Sequence, residues 1–338
     1  MQFLRDFQRS ICPPTCLWRL FAAVGLLASV LLAGCATRPA TVPAASTSGP
    51  AAVQPVPSPT AVPSATASQP AVVMRPPRIG LVLGGGAARG FAHVGVIQVL
   101  EEAGIKPDLV VGTSAGSLVA ALYASGKTGA QLQQVAMSMQ EATFTDWMLP
   151  LFGRGMLRGD GLARYVDRQV DGRLIEAMPM RLGIVAADLH SGQGVLFQRG
   201  DTGTAVRASS AVPAIFEPVH IAGHDYVDGG LVAPVPVDYA RQMGAELVIA
   251  VDISSSPEAN PTNDTLQILL QTFAIMSKSI NRYELRDADL VVRPDLNGVT
   301  SADFAARRRA IEAGRVAMQR LLPRLRQLIK EDAKPVKP

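Results

Sequence analysis

Residues 108–118 read DLVVGTSAGSL, a short apolar run that breaks into Gly112-Thr113-Ser114-Ala115-Gly116. Leu109-Val110-Val111 has the uninterrupted, β-branched character of a strand covered on both faces. The stretch from Ser117 to Ser125 is helical in pattern. A serine at such a strand-to-helix junction has two readings. It is an N-cap, a position serine suits well, or it is a nucleophile on a sharp turn whose small neighbours leave Oγ exposed. Gly112, Ala115 and Gly116 satisfy the second requirement, but G-x-S-x-G alone does not separate the two.

A second junction of the same kind lies upstream. Ile79-Gly80-Leu81-Val82-Leu83 ends in Gly84-Gly85-Gly86-Ala87-Ala88-Arg89-Gly90, and an apolar-periodic stretch then runs to Gly104. Backbone N–H groups at such a helix start hold either a bound phosphate or a developing alkoxide. Dinucleotide binding fits poorly, because the sixth position counted from Gly84 is Arg89 and the next strand ends in GTSAG instead of an acid. The oxyanion reading joins both turns into one site, since loops at the carboxyl ends of neighbouring parallel strands converge. Later strands are predicted at Leu182–Ala187, Val195–Gln198, Leu247–Asp252 and Leu290–Val292. Helices are predicted over 129–140, 161–169, 237–243, 265–283 and 302–329, the last with a kink at Pro323. Short apolar strands alternating with helices give an α/β fold with a mainly parallel sheet.

A nucleophilic serine needs a base. The chain has four histidines, His93, His190, His220 and His224, and none in the 114 residues after His224. Hydrolases with this elbow normally carry their histidine late, so each of the four reads better as structural or solvent-facing. A carboxylate is left, and Asp228, in Tyr226-Val227-Asp228-Gly229-Gly230, is the best placed; on its own this is simply a good turn. An ordinary aspartate is a feeble base at neutral pH, and a desolvated site would improve it.

Taken together and in order, GGGAARG, GTSAG and DGG resemble the bacterial patatin-like phospholipases. RASSAVPAIFEPV, Arg207–Val219, is similar to that family too. The resemblance covers about Arg78 to Asp252 strongly and the C-terminal helices weakly. It implies a three-layer α/β fold with helices flanking a mainly parallel central sheet. It also implies a Ser114–Asp228 dyad and an oxyanion hole from Gly85, Gly86 and Ala87. Gly112, Gly116, Gly229 and Gly230 belong to the motifs, and Arg89 is a loop or head-group contact. The activity implied is hydrolysis of lipid esters, of phospholipase A or lysophospholipase type. Alternatives are an esterase or acyltransferase on other acyl groups, or a weakly catalytic lipoprotein that binds partners. No metal, cofactor or nucleic acid is expected. One departure stands out: Ala87 occupies the position of the family's third glycine, where a side chain restricts φ.

The ends carry separate signals. Arg5, Arg9 and Arg19 precede the uncharged run Leu20–Gly34, too short for a membrane span and of signal-peptide type. It closes in Leu32-Ala33-Gly34-Cys35, which resembles a bacterial lipobox, so residues 1–34 are expected to be removed and Cys35 lipidated. Residues 35–77 read as the lipidated cysteine plus a tether rich in Ala, Pro, Ser and Thr, too polar and proline-broken to fold. Residues 78–330 read as the hydrolase domain and 331–338 as a loose tail. Removal of Cys12 and Cys16 would leave no disulfide partner for Cys35. The expected location is exported and membrane-anchored, with the outer membrane favoured. Residues 301–338 hold seven Arg and three Lys against four acids, so the formal charge of +4 is concentrated at the ends. The apolar segment Phe144–Gly153 has two readings, a lid over the site or a plug beside the sheet.

Overall fold

The computed structural model describes residues 74–140, 155–257 and 262–335, all within the compact unit Gln69–Pro338. In chain order the strands are β1 (Met74–Arg75), β2 (Ile79–Leu83), β3 (Leu109–Thr113), β4 (Gly155–Leu157), β5 (Arg181–Asp188), β6 (Gly194–Phe197), β7 (Ala214–Phe216), β8 (Val219–Ile221), β9 (His224–Asp228), β10 (Leu247–Val251), β11 (Leu290–Val292) and β12 (Lys334–Pro335). The helices are α1 (Phe91–Glu102), α2 (Ala115–Ala124), α3 (Gly129–Ser138), α4 (Asp160–Gln169), α5 (Thr202–Ser209), α6 (Val237–Gln242), α7 (Thr265–Glu284) and α8 (Arg307–Glu331).

The main sheet runs β11-β10-β2-β3-β5-β9-β8, with β6 on β5. The five strands from β11 to β5 are mutually parallel, while β6, β9 and β8 join antiparallel. Every residue of β2, β3 and β10 is buried, which is why these strands read as unbroken apolar runs. One core cluster, including Leu81, Leu83, Ile97, Leu100, Ile249 and Met318, packs α1, α2 and α8 on one face of the sheet. A second, built on Val82, Val111, Val185, Val235 and Val248, packs α6 on the other. The result is the expected three-layer, patatin-like α/β fold.

One detail of register positions the site. Ile184 and Val185 pair with both β3 and β6, and Ala186 and Ala187 pair with both β6 and β9. A residue has only two edges, so β3 and β9 must lie end to end along the same edge of β5. Thr113 sits opposite Val185 and Asp228 opposite Ala186. The carboxyl ends of β3 and β9 therefore meet head-on.

Several local readings change. His220 and His224 lie on the hairpin formed by β8 and β9, for which no strands were predicted. The helix α5 was not foreseen, because Gly203 and two threonines mask its period. The C-terminal helix starts later than expected, after a short 3-10 turn at Phe304–Ala306, and continues through Pro323 to Glu331. Met74–Arg75 and Lys334–Pro335, assigned to tether and tail, pair with each other. Arg75 forms a two-pronged ion pair with Glu246 beside them. The signal-peptide and Cys35 readings, nearly all of the tether and the 144–153 segment lie outside the described residues.

Candidate active site

Ser114 sits between β3 and α2 with φ 53 and ψ −125. A non-glycine residue at positive φ is strained, and the neighbourhood holds it there. Its carbonyl accepts from the Ser117 N–H at 2.8 Å and the Ser117 hydroxyl at 2.6 Å. Its own N–H donates to Ser209 Oγ at 2.9 Å, and that hydroxyl donates to the Val185 carbonyl at 2.6 Å. The Ser114 side chain caps no backbone N–H of α2, so the hydroxyl is left for other work. The flanking glycines are steric requirements: a Cβ on Gly116 would lie 2.0 Å from the Leu83 carbonyl oxygen, and one on Gly112 would lie 2.4 Å from that of Gly116.

Asp228 ends β9 and is 7% exposed. On Oδ1 it accepts the Gly230 N–H at 2.7 Å, and the Ser114 hydroxyl is near enough to favour its charged form. Burial pushes its pKa up from 3.8 to about 6, against the opposing pull of those two donors. The carboxylate thus stays ionised near neutrality yet is a far better base than an exposed aspartate. A Cβ on Gly229 would strike the Val185 carbonyl oxygen at 2.2 Å, so the turn after Asp228 lies flat against β5.

The glycine loop covers the serine from the other side. A Cβ on Gly85 would stand 3.2 Å from that of Ser114. The expected oxyanion donors need one correction. The Gly85 N–H donates to the Pro234 carbonyl at 2.9 Å, as Gly84 N–H does to Val251, so Gly85 shapes the loop and does not offer its amide. Gly86 and Ala87 precede the first intrahelical donor, Arg89, and their N–H groups have no partner among the described residues. Ala87 adopts φ 49, so the alanine accepts the left-handed conformation that a glycine would adopt freely.

Arg89 is a loop contact. Its guanidinium donates to the carbonyls of Ile253, Ser254 and Val299, which ties the loop to the segment after β10 and leaves the head-group reading without support. His93 is fully buried and hydrogen-bonded through Nε2 to the Gly84 carbonyl at 2.9 Å. Burial lowers its pKa to about 4, so it is a neutral brace for the loop. His220 pairs with Asp225 across the hairpin, and His224 with Asp188 at the end of β5. Among the described residues no group of three or more His, Cys, Asp or Glu stands ready to hold a metal.

Ser209 is the residue that sequence reasoning missed. It lies in the Arg207–Val219 stretch, but only the fold reveals that it bonds both the Ser114 N–H and β5. Ser209→Ala is expected to cost about 1–3 kcal/mol, because two buried backbone groups lose their partner. Activity should fall along with it. A denaturant midpoint equal to wild type would contradict this.

A mainly parallel sheet whose strained serine turn meets a buried aspartate from an antiparallel strand gives an α/β domain of patatin-like fold. Residues 81–241 match the family model described as patatin-like phospholipase, and that span holds the glycine loop, Ser114 and Asp228. Relatives point the same way. An uncharacterized NTE family protein of Mycobacterium tuberculosis is 36% identical over 189 residues, 56% of this chain and 52% of that protein. Mouse patatin-like phospholipase domain-containing protein 6 is 33% identical over 230 residues, 66% of this chain and 16% of that one. The chain thus spans about half the length of the mycobacterial relative and far less of the mouse protein. Among solved structures, VipD from Legionella pneumophila superposes with a TM-score of 0.50 over 78% of this chain and 69% of that one, at 16% identity. That is a likeness of fold.

Proposed function

We propose that the chain is a serine hydrolase of lipid acyl esters, of phospholipase A or lysophospholipase type, working through a Ser114–Asp228 dyad. The observation that carries this is the strained, uncapped Ser114 at the end of β3, which the sheet register brings up to a buried carboxylate whose pKa is raised to about 6. Family match and relatives support a lipid substrate.

In the first step Ser114 Oγ bonds to the ester carbonyl carbon as its proton passes to Asp228. The N–H groups of Gly86 and Ala87 hold the oxyanion, each such donor being worth about 3–4 kcal/mol. Collapse breaks the bond to the alcohol, which leaves with the proton from Asp228. Asp228 then takes a proton from water as it attacks the acyl-enzyme, and the fatty acid departs as Ser114 recovers its proton. The test is turnover of acyl esters of graded length and of a phospholipid by the full chain. Silence on every ester, short or long, would sink the reading.

The N-terminus supports a second part of the proposal. Leu32-Ala33-Gly34-Cys35 would direct cleavage before Cys35 and lipidation of its thiol, anchoring the domain to a bacterial membrane, the outer one by preference. Cells making the full chain should incorporate labelled palmitate into it, and Cys35→Ala should abolish the label. Labelling that survives the substitution removes the anchor.

A further inference from the structure

The helix α7 turns an apolar stripe outward as well as half-burying Leu266, Leu269, Phe273 and Ile280 on its inner side. Of the eight large apolar side chains exposed among the described residues, five lie on it: Ile268, Leu270, Ile275, Met276 and Tyr283. Its only fully buried residue is polar, Asn281, whose amide donates to Ser254 Oγ at 2.8 Å. Gln271 likewise donates inward to the Pro257 carbonyl at 2.7 Å. Ile268, Thr272, Ile275, Met276, Ser279 and Tyr283 follow steps of three and four and so form one outward stripe.

Charge is distributed to match. Thr265–Ser277 contains no charged residue, whereas the C-terminal end carries Lys278, Arg282 and Arg286 against the half-buried Glu284 and the exposed Asp287, and Asp289 beyond them is paired with Arg241. The Arg286 guanidinium lies 5.1 Å over the Tyr283 ring. An apolar stripe beside a cationic flank is the pattern of a helix that lies in a membrane interface. No helix among the described residues is long and apolar enough to cross one. The helix also packs on Gly229–Leu231, the turn that follows Asp228, which sets the stripe about one helix diameter, roughly 10–12 Å, from that turn.

We propose that α7 is a docking helix for an anionic phospholipid bilayer. Its apolar stripe enters the acyl boundary, its cations meet the phosphates, and the surface from which an ester is drawn comes to lie about one helix diameter from the turn after Asp228. The link to substrate rests on the lipid-hydrolase reading; the docking itself does not.

Two measurements on the full chain test it. In Ser114→Ala, which leaves lipid unconsumed, backbone hydrogen exchange over 265–284 should slow when vesicles containing phosphatidylglycerol are added, and less with phosphatidylcholine alone. The doubly substituted Ile268→Asp, Ile275→Asp chain should lose at least tenfold in turnover of phosphatidylglycerol vesicles while a soluble short-chain ester is turned over within twofold of wild type. The N-terminal apolar run is common to every chain compared. Unchanged exchange and unchanged vesicle turnover overturn the proposal. Protection without vesicles also overturns it: a dependence on protein concentration would identify a second copy as the occupant, and independence would identify the chain's own N-terminal residues. If wild type hydrolyses neither substrate but vesicles still protect α7, the hydrolase reading fails and the docking helix stands.

Discussion

Replacing Ser114 by alanine should lower ester turnover by about 10⁴-fold or more while the protein still folds. The size follows from the loss of the nucleophile itself: what survives is only binding and oxyanion stabilisation of a direct attack by water. Folding should survive because the hydroxyl caps no backbone group of α2, and because the bonds that hold the turn run through the Ser114 N–H and carbonyl. A serine-reactive phosphonate should label wild type and leave Ser114→Ala unlabelled. Equal turnover by both chains would mean that Ser114 is no more than a residue in a turn.

Asp228→Asn should be nearly as inactive, and it should be more stable than wild type at neutral pH. The sign follows from the raised pKa. The folded state binds the Asp228 proton up to about pH 6, whereas the unfolded chain releases it near 3.8. The stabilising contribution of this group is therefore complete below about pH 3.8 and is lost as pH rises through about 6. An asparagine stays neutral and can still accept the Gly230 N–H, so it avoids a loss of about 3 kcal/mol. In wild type, kcat/KM should fall about tenfold per pH unit below about pH 6, where the base becomes protonated. A flat profile between pH 5 and 7, or a variant no more stable than wild type at pH 7.5, would contradict the assignment.

Much of this site was legible because sterics limit which residues can form it. Ser114 with Gly112 and Gly116 stands out, since contacts as short as 2.0 Å from an added Cβ leave glycine as the residue that fits. The glycine loop was legible in outline only. Which of its amides remain open depends on Pro234, which takes the Gly85 N–H and lies 149 positions away. Arg89 was ambiguous for the same reason, because its three carbonyl partners come from two distant segments. Ser209 carried no signal of its own: the stretch Arg207–Val219 stood out as a whole, and nothing in it singled out one small polar residue in a segment with no clear period. The extent of α7 was readable from its sequence, 265–283 against 265–284. Its orientation was not, because helical periodicity marks an apolar face without saying whether that face turns toward the core.

The head-on meeting of β3 and β9 along one edge of β5 has an evolutionary consequence. Thr113, the residue before the nucleophile, and Asp228 stand one step apart in the peptide ladder along β5, about 3.3 Å of strand rise, and no loop length enters it. Segments between the two residues, such as 189–193 and 222–223, can therefore lengthen or shorten without moving the nucleophile from its base. A slip of β9 by a single residue would instead carry Asp228 to the opposite face of the sheet. Natural variation in such a protein is free to explore new access loops while the ladder register is held fixed.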